Sequence, residues 1–194
     1  MKKQSELKNL VEQTKRKEKA KKEKVDIKWI ISIVITTFII SFLLSLLANT
    51  TIPNLSLIFG IIITLLFIFV GIIFDIVGVS VTSADEKVFH SMNSRKVKGA
   101  STAVKFKKNA DKTSSFCCDV IGDICGVISG AAGTTICAIL VTKYHTDLLI
   151  TGLVITAIIS SLTIGGKAIG KSFAINKSDI ILYEFAKFIS NFYH

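Results

Sequence analysis

Four long apolar runs constrain this chain more than any other feature of its sequence. They are Trp29–Ala48, Leu55 to about Thr82, Phe116–Val141 and Leu148–Gly166. An α-helix rises about 1.5 Å per residue, so about 20 apolar residues cross the roughly 30 Å hydrocarbon core of a bilayer. Of the 194 residues, 50% are hydrophobic and only one is proline. The sequence therefore predicts an all-α membrane protein with four transmembrane helices.

The first apolar run is interpreted as an anchor that stays in the protein. It is longer than the 7–15-residue core of a typical signal peptide, and the polar segment before it is long. It is followed by a turn at residues 49–54, so the first two runs form a helical hairpin. We therefore expect a basic segment at residues 1–28, an extra N-terminal transmembrane anchor at 29–48 and the main transmembrane domain at 55–194.

The formal charge of +10 is distributed unevenly and predicts the orientation of the chain. Residues 1–28 carry eleven Lys or Arg, residues 84–115 carry eight and residues 167–194 carry four, whereas the turns at 49–54 and 142–147 share one. Short loops rich in Lys and Arg stay on the cytoplasmic side. We expect a multi-pass protein of the cell membrane, with both termini and residues 84–115 in the cytoplasm.

A basic tract, KRKEKAKKEK at Lys15–Lys24, raises the alternative of nucleic-acid binding. Beside a transmembrane helix, however, such a tract is first a topology signal. It also attracts anionic lipid headgroups, by about 1 kcal/mol per Lys or Arg near the surface. The expected partner of the basic segments is therefore anionic lipid and not nucleic acid.

Two further segments are predicted to be helical without crossing the membrane. In the juxtamembrane segment 84–115, Ser83 and Glu86 match a capping box, and Gly99 suits the residue after a helix end. An amphipathic basic helix fits the membrane surface, and a solvated basic loop is the alternative. In the tail, apolar residues at helical spacing follow Ser178, a possible N-cap, and predict a C-terminal amphipathic helix at 178–193. It lies at the interface or beneath the bundle.

Three carboxylates, Asp75, Asp119 and Asp123, fall inside the apolar runs. Such residues are costly at mid-bilayer, usually face the bundle interior and mark a pathway or a partner. Counted from the inner ends of their antiparallel helices, Asp75 and Asp123 lie at equal depth. Mg²⁺ prefers oxygen ligands and uses one or two carboxylates, while Na⁺ or protons suit the same cluster. The alternative is that the aspartates hold helices together by hydrogen bonds. The candidate hydroxyl ligands are Ser80, Thr82 and Ser129.

Small residues form a ladder at Gly122, Gly126 and Gly130, through which another helix can approach closely. We expect Gly122 and Gly126 to pack inside the subunit and Gly130 to contribute to a homodimer. The four cysteines show no zinc-binding spacing and are interpreted as small apolar fillers. No plausible set of catalytic residues is present, so the chain is not expected to be an enzyme.

Three stretches resemble the transmembrane domain of the CNNM/CorC (CorB) proteins, the DUF21 fold. FDIVGVSVTSAD (Phe74–Asp85) resembles the family segment F-S-x-x-E-x-A-L-x-S. ADKTSSFCCDVIGDICGVISGA (Ala110–Ala131) is similar to P-x-R-x-L-x-x-x-x-x-G-N-N, and GGKAIGKSFAINKSDIILYEFAKF (Gly165–Phe188) is similar to G-E-x-x-P-K-x-x-A. The resemblance implies three spanning helices, about 55–82, 116–141 and 148–166, with a basic helical belt and a dimeric assembly.

The resemblance also implies a function, the binding and transport of Mg²⁺ or Co²⁺, with Na⁺ as another possible ion. It assigns Asp75, Ser80 and Asp123 to the ion site, and we add Asp119 as a carboxylate beside the ligands or on the path to them. The chain departs from the family at Gly78 and Lys167, where the family has Glu, at Asp123, where it has Asn, and at Gly170, where it has Pro; regulation through a nucleotide-sensing CBS pair is not expected. The replacement of acidic family residues by Gly78 and Lys167 favours the alternative, a membrane scaffold or regulatory subunit that does not transport.

Overall fold

The computed structural model describes residues 27–51 and 56–192, and every regular element among them is a helix. The helices are α1 (Ile27–Thr51), α2 (Leu57–Ser83), α3 (Glu86–Ser94), α4 (Ala100–Lys108), α5 (Ala110–Ser115), α6 (Asp123–Tyr144), α7 (Leu148–Asn176) and α8 (Ser178–Phe192). A π-helical segment, Phe116–Gly122, joins α5 to α6. Residues 1–26 of the basic segment predicted at 1–28 and residues 52–54 of the turn predicted at 49–54 lie outside the described residues.

Four stretches are long and apolar enough to cross a membrane: Ile27–Leu47, Leu57–Ser83, Ala110–Tyr144 and Leu148–Asn176. The number of membrane-length apolar helices is therefore the number expected from the four apolar runs. The helices are longer than the runs, because α1 continues to Thr51 and α7 continues ten residues past Gly166. Helices α2, α6 and α7 pack against one another along their lengths.

The turn between α6 and α7 is shorter than expected. Helix α6 ends at Tyr144, and His145 follows in the left-handed conformation with φ 53°. Asp147 then caps α7, because its side chain accepts hydrogen bonds from the backbone N–H groups of Leu149 and Ile150. Only three residues therefore separate two antiparallel membrane-length helices.

Residues 84–115 form a helical belt, which consists of α3, α4 and α5. The predicted capping box is wrong, because Ser83 is the last residue of α2 and the Asp85 carboxylate accepts from the Lys87 N–H instead. Gly99 does not follow the end of α3 either. It precedes α4 with φ 85°, and an added Cβ would lie 2.8 Å from Lys187 Cα. Only glycine combines this backbone angle with so close an approach of α8.

The belt and α8 pack against the Ser83 end of α2. Their shared core consists of Val77, Val81, Ala84, Phe89, Ala103, Val104, Cys117, Leu182 and Ala186. Polar contacts tie the layers together: Lys107 Nζ donates to the carbonyls of Val81 and Thr82, and the Asp85 N–H donates to Asp179 Oδ1 at 2.8 Å. The alternative of a freely solvated loop is therefore wrong, because Phe89 and Ala103 are fully buried.

Candidate functional site: a lysine between two aspartates

A lysine from α7 lies between the aspartates of α2 and α6. Lys167 Nζ is 3.2 Å from Asp123 Oδ1 and 3.9 Å from Asp75 Oδ1. The first distance is a hydrogen-bonded ion pair, and the second is an ion pair too long for a hydrogen bond. We call Asp75, Asp123 and Lys167 the charged triad. The structure thus brings the two aspartates to one site, but around an ammonium group that belongs to the protein.

Close packing of α7 on α2 positions the lysine. The residue before it, Gly166, lies so near Ile72 that an added Cβ would overlap the Ile72 side chain. One turn further, a Cβ on Gly170 would be 2.7 Å from Ile76 Cγ1. Because Gly166 and Gly170 have no side chains, they leave room for Ile72 and Ile76 of α2. Because Lys167 lies between these contacts on α7, its Cα is held beside the turn of α2 that carries Asp75.

A second close approach brings α6 to the same place. A Cβ on Gly71 would be 3.0 Å from Cys125 Cβ and 3.3 Å from the Gly122 carbonyl oxygen. A Cβ on Gly122 would in turn be 3.6 Å from Lys167 Nζ, an ordinary contact distance. Gly122 is also the last residue of the π-helical segment, and π-helical turns inside α-helices occur frequently at functional sites.

The three charged residues lie at one depth. At 1.5 Å per residue, Asp75 is about 27 Å along α2 from Leu57, Lys167 is about 29 Å along α7 from Leu148, and Asp123 is about 32 Å along α6 from Tyr144. The hydrocarbon core is about 30 Å thick. If the Leu57 end of the bundle lies at one boundary of the core, the charged triad lies near the opposite boundary.

Burial differs sharply within the charged triad. The Asp75 side chain is 5% exposed, that of Lys167 is 21% exposed and that of Asp123 is 68% exposed. Asp75 Oδ2 is buried without a hydrogen-bond partner. An unpaired carboxylate oxygen costs free energy when it is removed from water. With all three groups ionised, the charged triad carries a net charge of −1, so it holds both a surplus negative charge and an unused ligand atom.

The other predicted ligands do not join the charged triad. The Ser80 hydroxyl donates to the Ile76 carbonyl at 2.8 Å, Thr82 donates to Val79 and Ser129 donates to Gly126. Hydroxyl groups in membrane helices commonly bond their own helix in this way. Asp119 is exposed, and neither of its oxygens makes an ion pair with Lys167 in the described residues.

Within the described residues, no group of three or more His, Cys, Asp or Glu side chains is arranged to hold a metal ion. The side-chain oxygen atoms at the site are those of the two carboxylates of the charged triad. The four cysteines are free thiols, and Cys118 Sγ lies 3.6 Å from the Asp75 carbonyl oxygen.

The packing also accounts for Gly78, one of the departures from the CNNM/CorC pattern. A Cβ on Gly78 would overlap Cys118 Sγ, and it would lie 3.0 Å from the Ser114 carbonyl oxygen. A glutamate side chain has no room there. Gly78 therefore allows α2 to approach α5 and the π-helical segment closely.

Comparison with known proteins gives no relative for this chain. No protein-family model, no curated protein and no solved structure matches it. The resemblance to the CNNM/CorC transmembrane domain rests on the three short motifs alone.

A furrow between α6 and α7 begins about one helical turn from Asp123 and Lys167. We call it the α6/α7 furrow, and it is lined by Gly126, Gly130, Thr156, Ile159, Ser160, Thr163 and Ile164. A Cβ on Gly126 or Gly130 would meet nothing within 4 Å. The prediction that Gly126 packs inside the subunit is therefore wrong, and the glycines that do so include Gly71, Gly166 and Gly170.

Lys167 belongs to the candidate site, although the sequence analysis does not predict it there. In the family resemblance it is only a departure from an acidic position. A usable signal was present, because Lys167 is the first charged residue after Asp147 and lies at the same helical depth as the two aspartates. An isolated cation level with carboxylates on neighbouring membrane helices is a natural partner for them.

Proposed function

We propose that this chain is a multi-pass membrane protein that binds a cation at Asp75 and Asp123 and transports it across the membrane. The observation that carries the proposal is the buried Asp75 carboxylate, which has one oxygen without a partner and lies opposite Asp123 around Lys167. Ionisable residues inside membrane bundles face the bundle interior and mark substrate or ion pathways.

The α6/α7 furrow supports movement of the ion as well as binding. It continues from the Asp123–Lys167 pair toward the Leu148 end of α7, and Thr156, Ser160 and Thr163 supply hydroxyl groups along it. Gly126 and Gly130 leave its α6 wall without side chains. A cation that loses part of its hydration shell at the charged triad meets oxygen atoms further along this path.

In the proposed transport cycle, the ammonium group of Lys167 occupies the place between the two carboxylates when no ion is bound. This group contacts both carboxylates, so an ion that coordinates both of them displaces it or binds beside it. The lysine stem is long and flexible, and the charged triad lies near a hydrocarbon boundary, so Nζ can reach the interface when it leaves the carboxylates. Two kinds of ion remain candidates: the resemblance to CNNM/CorC proteins implies Mg²⁺ or Co²⁺, whereas Na⁺ matches the net charge of −1 that Lys167 leaves at the site.

The proposed location is the cell membrane, with both termini in the cytoplasm, as the distribution of Lys and Arg predicts. The belt then faces the cytoplasm, and its lysines attract anionic lipids. A homodimer formed through the α6 face that carries Gly130 would cover the α6/α7 furrow from the lipid side. This assembly belongs to the proposal.

Flux measurement tests the proposal. Purified full-length protein is reconstituted in liposomes with a Mg²⁺-sensitive or Na⁺-sensitive dye inside, and uptake is compared for the unmodified chain, Asp75→Asn and Asp123→Asn. Asp111→Asn is the control, because Asp111 is an exposed carboxylate of α5 outside the charged triad. We expect uptake that both site variants abolish and the control retains. Uptake that is equal in all four proteins contradicts the assignment of the site.

One observation favours a second candidate, a non-transporting scaffold or regulatory subunit. Lys167 already pairs with both carboxylates, so the charged triad can hold α2, α6 and α7 together without an external ion. The flux measurement in liposomes distinguishes the transporter from the scaffold. A folded protein that gives no flux of any cation, but unfolds when Lys167 is replaced, is a scaffold.

A further inference from the structure

We infer that Lys167 sets the charge of the ion that the site accepts, and that with this lysine in place the site takes a monovalent alkali cation. The inference rests on the proposed function, since it concerns the same carboxylates. It adds the class of ion and the residue that selects it. The physical basis is the count of charges around Asp75, together with the unpartnered oxygen of that residue.

The charge count follows from the geometry. Each of the two carboxylates lies within 4 Å of the one ammonium group, so the ionised charged triad has a net charge of −1. One monovalent cation brings the site to neutrality. A divalent cation that binds beside Lys167 leaves a surplus positive charge, and it lies near an ammonium that repels it with twice the force of a monovalent ion.

Because the site is partly buried, the net charge that remains after a monovalent or a divalent cation binds has a large effect on the free energy of binding. Asp75 is only 5% exposed on its side chain, and in low dielectric a surplus charge of either sign is costly. The unpartnered Asp75 Oδ2 is a second, independent sign of a missing ligand. An alkali cation at that oxygen fills the unused position while Oδ1 keeps its contact with Lys167.

Replacing Lys167 by a neutral residue changes the net charge of the ionised site from −1 to −2. The same two carboxylates then match a divalent cation, which commonly binds one or two carboxylates together with water. A second replacement, Asp123→Asn in addition to Lys167→Gln, restores −1. The inference therefore predicts that ion preference follows net charge through a series of variants, and not the presence of any single residue.

The experiment measures binding of radiolabelled Na⁺ to the purified full chain in detergent, and its displacement by Mg²⁺ or Co²⁺. We expect the unmodified protein to bind Na⁺ and to resist Mg²⁺. We expect Lys167→Gln to bind Mg²⁺ at least about tenfold more tightly than the unmodified protein, because removing a unit charge about 4 Å away is worth more than one tenfold step. The double variant returns to Na⁺ preference.

The control is Lys171→Gln, which removes a lysine one turn further along α7 that is exposed and outside the charged triad. It should bind ions like the unmodified protein. Size-exclusion profiles and helical circular dichroism show whether each variant is folded. If Lys167→Gln does not fold, the double variant and Asp123→Asn alone still test whether ion preference follows the net charge of the site. Asp123→Asn alone brings that net charge to zero, so it should bind neither Na⁺ nor Mg²⁺.

The outcomes separate this inference from the proposed function. If the unmodified protein binds Mg²⁺ more tightly than Na⁺, and Asp75→Asn abolishes that binding, the ion site stands and the role of Lys167 in ion choice is overturned. If the unmodified protein and every folded variant bind no cation, both the ion site and the inference are overturned. A preference that changes with net charge through the series supports both.

Discussion

Gly166 of α7 packs directly on Ile72 of α2, so that a Cβ at residue 166 would overlap the isoleucine side chain. The neighbouring Gly165 meets nothing within 4 Å of an added Cβ. Two adjacent glycines therefore have different roles. One sets the distance between two membrane helices, and the other lies on an open face of α7.

This contrast gives the first prediction. Gly166→Val should destabilise the bundle by about 1–3 kcal/mol, the usual cost of overpacking a close contact. Gly165→Val should change stability by less than about 0.5 kcal/mol, as is typical of substitutions away from packed sites. Thermal unfolding of both variants in one detergent measures the difference. Equal unfolding midpoints would show that α7 does not approach α2 at Gly166.

The second prediction concerns the coupling of Lys167 with Asp75. Lys167→Met leaves a buried carboxylate without its cation, and breaking a buried pair typically costs about 3–5 kcal/mol. Asp75→Asn removes the charge that needs compensation. The double variant should therefore be more stable than Lys167→Met alone, and a double-mutant cycle measures the coupling. Simple additivity of the two substitutions would mean that the 3.9 Å contact contributes nothing.

A third prediction separates the two aspartates that lie four residues apart. Asp123 contacts Lys167 at 3.2 Å, whereas Asp119 is exposed and outside the charged triad. Asp123→Asn should abolish ion binding, and Asp119→Asn should leave the affinity within about twofold, the effect of less than 0.5 kcal/mol. Titration calorimetry with the purified variants distinguishes them. Loss of binding in Asp119→Asn would restore that residue to the site.

The α6/α7 furrow gives the fourth prediction. Gly126→Leu and Gly130→Leu introduce side chains into open space, so each subunit should fold and keep its unfolding temperature. Gly126→Leu should reduce flux in liposomes because it narrows the furrow one turn from the charged triad. Gly130→Leu should weaken the homodimer in crosslinking experiments. Misfolding of Gly126→Leu would place that residue back in the subunit core.

The fifth prediction is the topology. A fluorescent reporter that matures only in the cytoplasm should fluoresce when fused to either terminus or inserted after residue 98, between α3 and α4. It should stay dark when inserted at residues 49–54. The physical reason is the concentration of Lys and Arg in the three segments placed inside. Fluorescence from the 49–54 insertion would contradict the orientation.

The sequence by itself determined which stretches are long and apolar enough to span a membrane. Hydropathy is a sum over neighbouring residues, so it needs no knowledge of how helices pack. It also located the charged residues inside those stretches, and the depths of Asp75 and Asp123 follow from helical rise alone. Helix ends were less accurate: α7 continues to Asn176 because apolar content decides where a span lies and not where a helix stops.

The tertiary structure decided which of these residues meet. Whether Lys167 faces Asp75 depends on the rotation of α7 about its axis, and contacts of Gly166 and Gly170 with α2 fix that rotation. Hydrophobic pattern gives no such information in a membrane, where lipid is as apolar as leucine and helices associate through close packing. For the same reason, the sequence identified Gly122, Gly126 and Gly130 as a packing face, whereas of these three only Gly122 lies at a close approach, where its carbonyl oxygen would be 3.3 Å from a Cβ on Gly71.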